Sequence, residues 1–138
     1  DGAVVFTNGV FDLLHPGHVA LLEAARMEGD HLIVAVNDDA SVRSLDKGSD
    51  RPILPIRQRL AMVAALEAVS RVVPFAEPTP IKLIDTLVPD VLVKGGDYAL
   101  DGVVGGDLMR QRGGRVVIVP HTVDCSTTRI LDRIRATS

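Results

Sequence analysis

Five short β-branched runs, each followed by a segment of helical length, constrain this 138-residue chain more than any other feature. The runs are Val4-Val5-Phe6, Leu32 to Val36, Arg71 to Phe75, Val91-Leu92-Val93 and Val116 to Val119. Near-continuous apolar runs of this kind are typical of strands covered on both faces. Helices are predicted between and after them, over about Pro16 to Met27, Pro55 to Ala68, Ile81 to Leu87, Val104 to Arg112 and Ser126 to Arg135. Pro16 suits a first helical turn, while Gly29, Pro89 and Gly113-Gly114 supply stops. Parallel strands need crossovers, so the order βαβαβαβαβα predicts an α/β fold. The expected form is a Rossmann-like, doubly wound, parallel five-stranded sheet with helices on both faces, in one domain over residues 1–138. Ligands of such sheets bind outside the carboxyl ends of the strands.

Composition excludes several classes. A net charge of -3 and the lack of a basic run argue against a nucleic-acid partner. No apolar stretch reaches the roughly 18 residues of a membrane span, and no signal peptide is visible. The single Cys125 excludes an internal disulfide and a multi-cysteine metal site, and points to a reducing, cytoplasmic compartment. Asp1 opens the chain without a methionine, as in a trimmed chain or a domain cut from a longer protein.

The strand ends gather the polar residues. After the first strand comes Thr7-Asn8-Gly9-Val10-Phe11-Asp12-Leu13-Leu14-His15-Pro16-Gly17-His18; after the second, Asn37-Asp38-Asp39. Lys94-Gly95-Gly96-Asp97-Tyr98 follows the fourth, and His121 to Thr128 the fifth. His15 and His18 sit where a turn feeds a helix, whose free N–H groups and positive dipole end attract phosphate. Their own N–H groups could reach charge developing on phosphorus, and Gly17 lets a phosphate approach the backbone. A metal pair and two unrelated surface histidines are the competing readings. Zinc would need a third ligand, with His31 or His121 available but without spacing logic.

Ser126-Thr127-Thr128 at the last helix start reads as an N-cap, alone or combined with a phosphate contact. Arg57 and Arg59 near a helix start, with Lys47 in the preceding loop, are solvated charges or phosphate ligands, Arg59 ahead of Arg57. Gly95-Gly96 would let the backbone approach a flat base or a sugar. A tight turn alone would also explain the glycines, but Lys94 and Asp97 flank them; Asp97 is a candidate hydroxyl acceptor, and Asp12 and Asp38 are candidate acceptors from hydroxyls or metal-bound water, or simple caps. Cys125 reads as a packing residue.

With these residues assembled, the chain resembles the cytidylyltransferase-like nucleotidyltransferase superfamily, on His15-Pro16-Gly17-His18 and Cys125-Ser126-Thr127-Thr128. Within it, the stretches RPILPIRQR from Arg51 to Arg59 and VKGGDY resemble the bacterial D-glycero-β-D-manno-heptose 1-phosphate adenylyltransferase branch. That resemblance implies adenylyl transfer from ATP, with Mg²⁺, to a sugar 1-phosphate, without a covalent enzyme intermediate. Cytidylyl transfer to glycerol 3-phosphate and a nucleotide-binding module without turnover are the alternatives. It implies nucleotide contacts from Val10, Phe11, His15, Gly17 and His18, phosphate contacts from Arg59 and Lys47, and triphosphate contacts from Ser126-Thr127-Thr128; the residues themselves add Lys94 and Gly95 on the nucleotide and Asp12, Asp38, Lys47 and Asp97 on the substrate. The catalytic group is then His15, His18, Lys47 and Arg59, with no protein-held metal site. An arginine often stands in related cytidylyltransferases where His121 falls here. The resemblance also admits a homodimer, and a sugar kinase domain fused in related proteins.

Overall fold

The computed structural model describes residues 2–45, 48, 50–96, 99–121 and 126–137. Five strands, β1 (Val4–Gly9), β2 (His31–Asn37), β3 (Arg71–Phe75), β4 (Val91–Gly95) and β5 (Arg115–Val119), form one sheet in the order β3-β2-β1-β4-β5. Every pairing is parallel. The crossovers are helices: α1 (Pro16–Arg26) after β1, α2 (Asp39–Ser44) and α3 (Ile56–Ala64) after β2, α4 (Ile81–Leu87) after β3 and α5 (Gly106–Gln111) after β4. A short 3₁₀ turn, Leu100–Gly102, precedes α5, and α6 (Thr127–Thr137) closes the chain.

Side-chain alternation sorts the strands between two cores. Val5, Val34, Val36, Val91 and Val93 pack with Leu22 and Ala25 of α1 and Val63 of α3. Their neighbours Phe6, Ala35 and Leu92 face the other way, onto Ile84 of α4 and Met109 of α5. The expected five-stranded, doubly wound α/β sheet is therefore the observed one. The chain moves outward from β1 through β2 to β3, then returns to pair β4 against the other side of β1. The switch in order thus lies between β1 and β4, and the crevice rule directs attention to their carboxyl ends.

The first and last helices match expectation to within two residues, Pro16–Arg26 and Thr127–Thr137, and the clearest differences lie between them. The helix expected over Pro55 to Ala68 ends at Ala64, because tighter turns bond Leu66 N–H to Val63 and Val69 N–H to Leu66. The helix expected from Val104 starts at Gly106, since Gly105 adopts φ 86° and a Cβ there would meet Ile84 Cδ1 at 2.7 Å. The short α2 was not anticipated; Asp38 caps it by accepting from Ser41 N–H at 2.8 Å. No helix among the described residues is long and apolar enough to cross a membrane.

Candidate active site

The first turn of α1 is capped by two histidines, each using its Nδ1. His15, the N-cap, accepts from Gly17 N–H at 3.0 Å, and His18 accepts from His15 N–H at 3.2 Å. An imidazole nitrogen that accepts carries no proton, so both rings are neutral with the proton on Nε2. The rings stack with centroids 3.7 Å apart, and a second positive charge at that separation is disfavoured. Burial and the neighbouring His15 lower the His18 pKa to about 4, against a weaker opposing pull from Asp12; burial also lowers that of His15. Near neutral pH the pair therefore presents two uncharged Nε2–H donors.

The loop that delivers them is tightly constrained. Phe11 and Leu13 adopt left-handed φ values of 53° and 56°, which ordinary residues hold only when their surroundings enforce it. The buried Phe11 ring lies 5.3 Å from that of His18 and covers Gly9, where a Cβ would come within 2.9 Å of it. Asp12 follows, with a fully buried carboxylate. Its oxygens accept from Arg51 Nε at 2.9 Å, Ile53 N–H at 2.7 Å and Leu54 N–H at 3.0 Å. Its carbonyl accepts from the Thr127 hydroxyl, joining α6 to the same loop. The histidine loop is thus held from two sides.

Two cavities meet at the histidines. One, of about 460 Å³, is lined by Asn8, Val10, Phe11, Asp12, Asn37, Arg51, Thr79, Lys94 and Thr128 among others. The second, of about 320 Å³, has walls of Ala20, Leu21, Ala24, Gly95, Val119, Pro120 and His121. His15, His18 and Ser126 line both. A polar chamber and an apolar chamber sharing a wall of N–H donors suit a ligand with a flat apolar end and a charged end.

The Cytidylyltransferase-like family profile matches residues 6–133 of this chain. The chain belongs to the cytidylyltransferase-like family. Curated proteins named bifunctional protein HldE, from Alkalilimnicola ehrlichii and Gluconacetobacter diazotrophicus, are 55% and 58% identical to it over 133 residues. Each match covers 96% of this chain but only 28% and 27% of those proteins, so the chain spans little more than a quarter of their length. Among solved structures, a lipopolysaccharide core biosynthesis protein from Thermoplasma volcanium superposes with a TM-score of 0.71 at 30% identity, covering 88% of this chain and 98% of that one. Pantothenate synthetase from Thermus thermophilus shares the fold, with a TM-score of 0.59 at 20% identity over 86% of this chain and 55% of that one.

Within this cytidylyltransferase-like frame, the expected residues divide into three groups. Val10, Phe11, His15, Gly17, His18, Lys94, Gly95 and the Ser126-Thr127-Thr128 stretch converge on the two chambers. Ser126 also accepts from Arg129 N–H at 3.1 Å, and the buried Thr127 spends its hydroxyl on the Asp12 carbonyl, so cap and cavity wall are the same residues. Lys47, Asp97 and Cys125 lie outside the described residues.

In the third group the polar atoms are engaged within the protein itself. Arg59, expected on phosphates, is fully buried. Its guanidinium donates to the carbonyls of Leu54 at 2.9 Å, Val10 at 2.8 Å and Asn37 at 2.6 Å, and to Asp39 Oδ1 at 2.7 Å. A guanidinium has five N–H groups, so four bonds leave little for a ligand. Arg59 is an internal strut. Asp12, expected on substrate, spends its carboxylate on Arg51 and two backbone amides. Asp38, expected there too, caps α2 and lines neither chamber. Arg51, Asn8, Asn37 and Thr79 were not singled out from sequence. Asn8 and Asn37 could have been, because both fall in strand-end clusters.

Proposed function

We propose that this chain transfers AMP from ATP to D-glycero-β-D-manno-heptose 1-phosphate, giving ADP-heptose and pyrophosphate. The observation that carries this reading is the pair of neutral Nε2–H donors on the wall shared by a polar and an apolar chamber. The heptose branch is supported by the likeness to the HldE proteins and to the Thermoplasma lipopolysaccharide core biosynthesis protein. In this reading the adenine enters the apolar chamber beside Gly95, and the phosphates lie against the histidines and the α6 start. The sugar phosphate fills the polar chamber.

Mg²⁺ would travel on the triphosphate. No group of three or more His, Cys, Asp or Glu among the described residues is arranged to hold a metal, and Asp12 is already saturated. That donor set fits an ion bound by nucleotide oxygens and water, as Mg²⁺ usually is at phosphates. Its contribution would be to offset charge on the triphosphate.

An oxygen of the acceptor phosphate attacks the α-phosphorus in line. A new P–O bond forms, the bond to the pyrophosphate bridging oxygen breaks, and its electron pair leaves with pyrophosphate. The attacking oxygen is already anionic, so no general base is needed. His15 and His18 hold their protons on Nε2 throughout and direct them at charge that grows on the transferring group. Being uncharged, they gain most from the charge built up in the transition state. This arrangement favours rate over ground-state binding.

The test is a panel of ATP and CTP against sugar and polyol phosphates, followed by pyrophosphate release. ATP with the heptose 1-phosphate should give the highest kcat/KM; preference for CTP with glycerol 3-phosphate would move the assignment to the cytidylyl branch. His18→Ala should lower kcat by about 10²–10³ while the sheet stays folded. A loss within a factor of a few would remove the donor role.

A further inference from the structure

We propose that Arg51 and Lys94 form a two-cation clamp that holds a phosphate oxyanion in the polar chamber. Which phosphate it holds rests on the nucleotidyl-transfer reading; the clamp itself does not.

Arg51 is 7% exposed and lines this chamber. It is anchored through Nε alone, to Asp12 Oδ2 at 2.9 Å. Asp12 is in turn fixed by the amides of Ile53 and Leu54, so the guanidinium plane is set before any ligand arrives. No described residue accepts from the two terminal amino groups. Because no buried side-chain polar atom among the described residues lacks a partner, those groups are within reach of solvent, and their residue lines the chamber. An edge of two parallel N–H donors is the shape that grips two oxygens of a phosphate. The contrast with Arg59, eight residues on, is informative: one guanidinium is consumed by the fold and the other is only moored by it.

Lys94, near the end of β4, lines the same chamber. Its ammonium is half-buried, and its contact is a neutral oxygen, Asn8 Oδ1, at 3.4 Å. No carboxylate among the described residues pairs with it. Burial without a counter-ion lowers its pKa, and an arriving anion would relieve that cost. Since the histidines are neutral, these two residues supply the cationic charge on the described chamber wall. Charge then holds the ground state in place, while the uncharged donors act on the transition state.

The test titrates inorganic phosphate and pyrophosphate into the wild type, Arg51→Lys and Lys94→Met, by calorimetry and by shift of Tm. Arg51→Lys keeps a cation beside Asp12 but loses the two-pronged edge; Lys94→Met leaves Asp12 untouched. Each variant should weaken binding of one or both anions by about tenfold or more. Binding of both anions within twofold of wild type in either variant overturns the clamp. Steady-state kinetics then identify the source. A raised KM for the sugar 1-phosphate alone assigns the clamp to the acceptor, and a raised KM for ATP alone assigns it to the nucleotide. If the wild type binds these anions, the variants do not, and no acceptor elicits pyrophosphate release, the clamp stands while the transferase reading fails.

Discussion

His18 performs two tasks with its two ring nitrogens. Nδ1 accepts the His15 amide and starts a helix; Nε2 is left holding a proton toward the chambers. Protonating Nδ1 would break the cap, and burial resists the charge, so the folded pKa lies near 4 against an ordinary 6.5. The sign of the pH effect follows. The unfolded chain takes up this proton as pH falls below about 6.5, while the folded chain refuses it until about 4. The contribution to stability is therefore complete above 6.5 and is lost as pH falls through that window. Imidazole NMR titration should place the His18 midpoint near 4 and the His15 midpoint below 6.5. His18→Gln, which retains an acceptor at the same helical position, should narrow its stability deficit against wild type between pH 6.5 and 4. A His18 midpoint above 6 would mean that the ring is not locked in the neutral form.

At the scale of elements, Arg59 and Asp12 join segments that the sheet alone would leave apart. Arg59 projects from α3 to bond carbonyls at the ends of β1 and β2. Removing the buried guanidinium leaves the carbonyls of Leu54, Val10 and Asn37 without their donor while the partly exposed Asp39 turns to water, at about 1–3 kcal/mol per unsatisfied group and so about 3–5 kcal/mol in all. Arg59→Met should lower unfolding stability by about that amount in urea titrations; a change below about 1 kcal/mol would show that the strut is dispensable. From sequence, Arg59 is indistinguishable from a ligand: a cation near a helix start, beside other cations. Only the long-range carbonyls at Val10 and Asn37 reveal its role. The strands and the histidine motif were readable because each depends on neighbours in the chain. Apolar runs make buried strands, and residues three apart share a helical turn. Arg51 was not readable, since its partner lies 39 residues away. Nor was the role of Asp38 as a cap, because α2 is too short to leave a periodic signature.

For the whole molecule, the sheet order sets a gradient of protection. Val5, Phe6, Val34, Leu92 and Val93 are completely or almost completely buried, and all lie in the three central strands. α6 has Ile134 at 55% exposure and only Thr127 buried, the residue that ties it to the loop after β1. Hydrogen exchange should be slowest in β1, β2 and β4 and fastest among the helices in the later turns of α6. Equal protection of α6 and β1 would contradict that order. The chambers lie where these regimes meet, with one wall on the rigid strand ends and another on the first turn of α6.

The histidine cap couples a chemical property to a thermal one. The first turn of α1, while wound, fixes both rings in the tautomer that readies the Nε2–H groups, because its backbone amides occupy both Nδ1 atoms. Fraying of four residues would scramble the proton positions without disturbing the sheet. Turnover should then reach its ceiling several degrees below the Tm read from the sheet signal, a gap visible when initial rates and circular dichroism are followed on one temperature ramp.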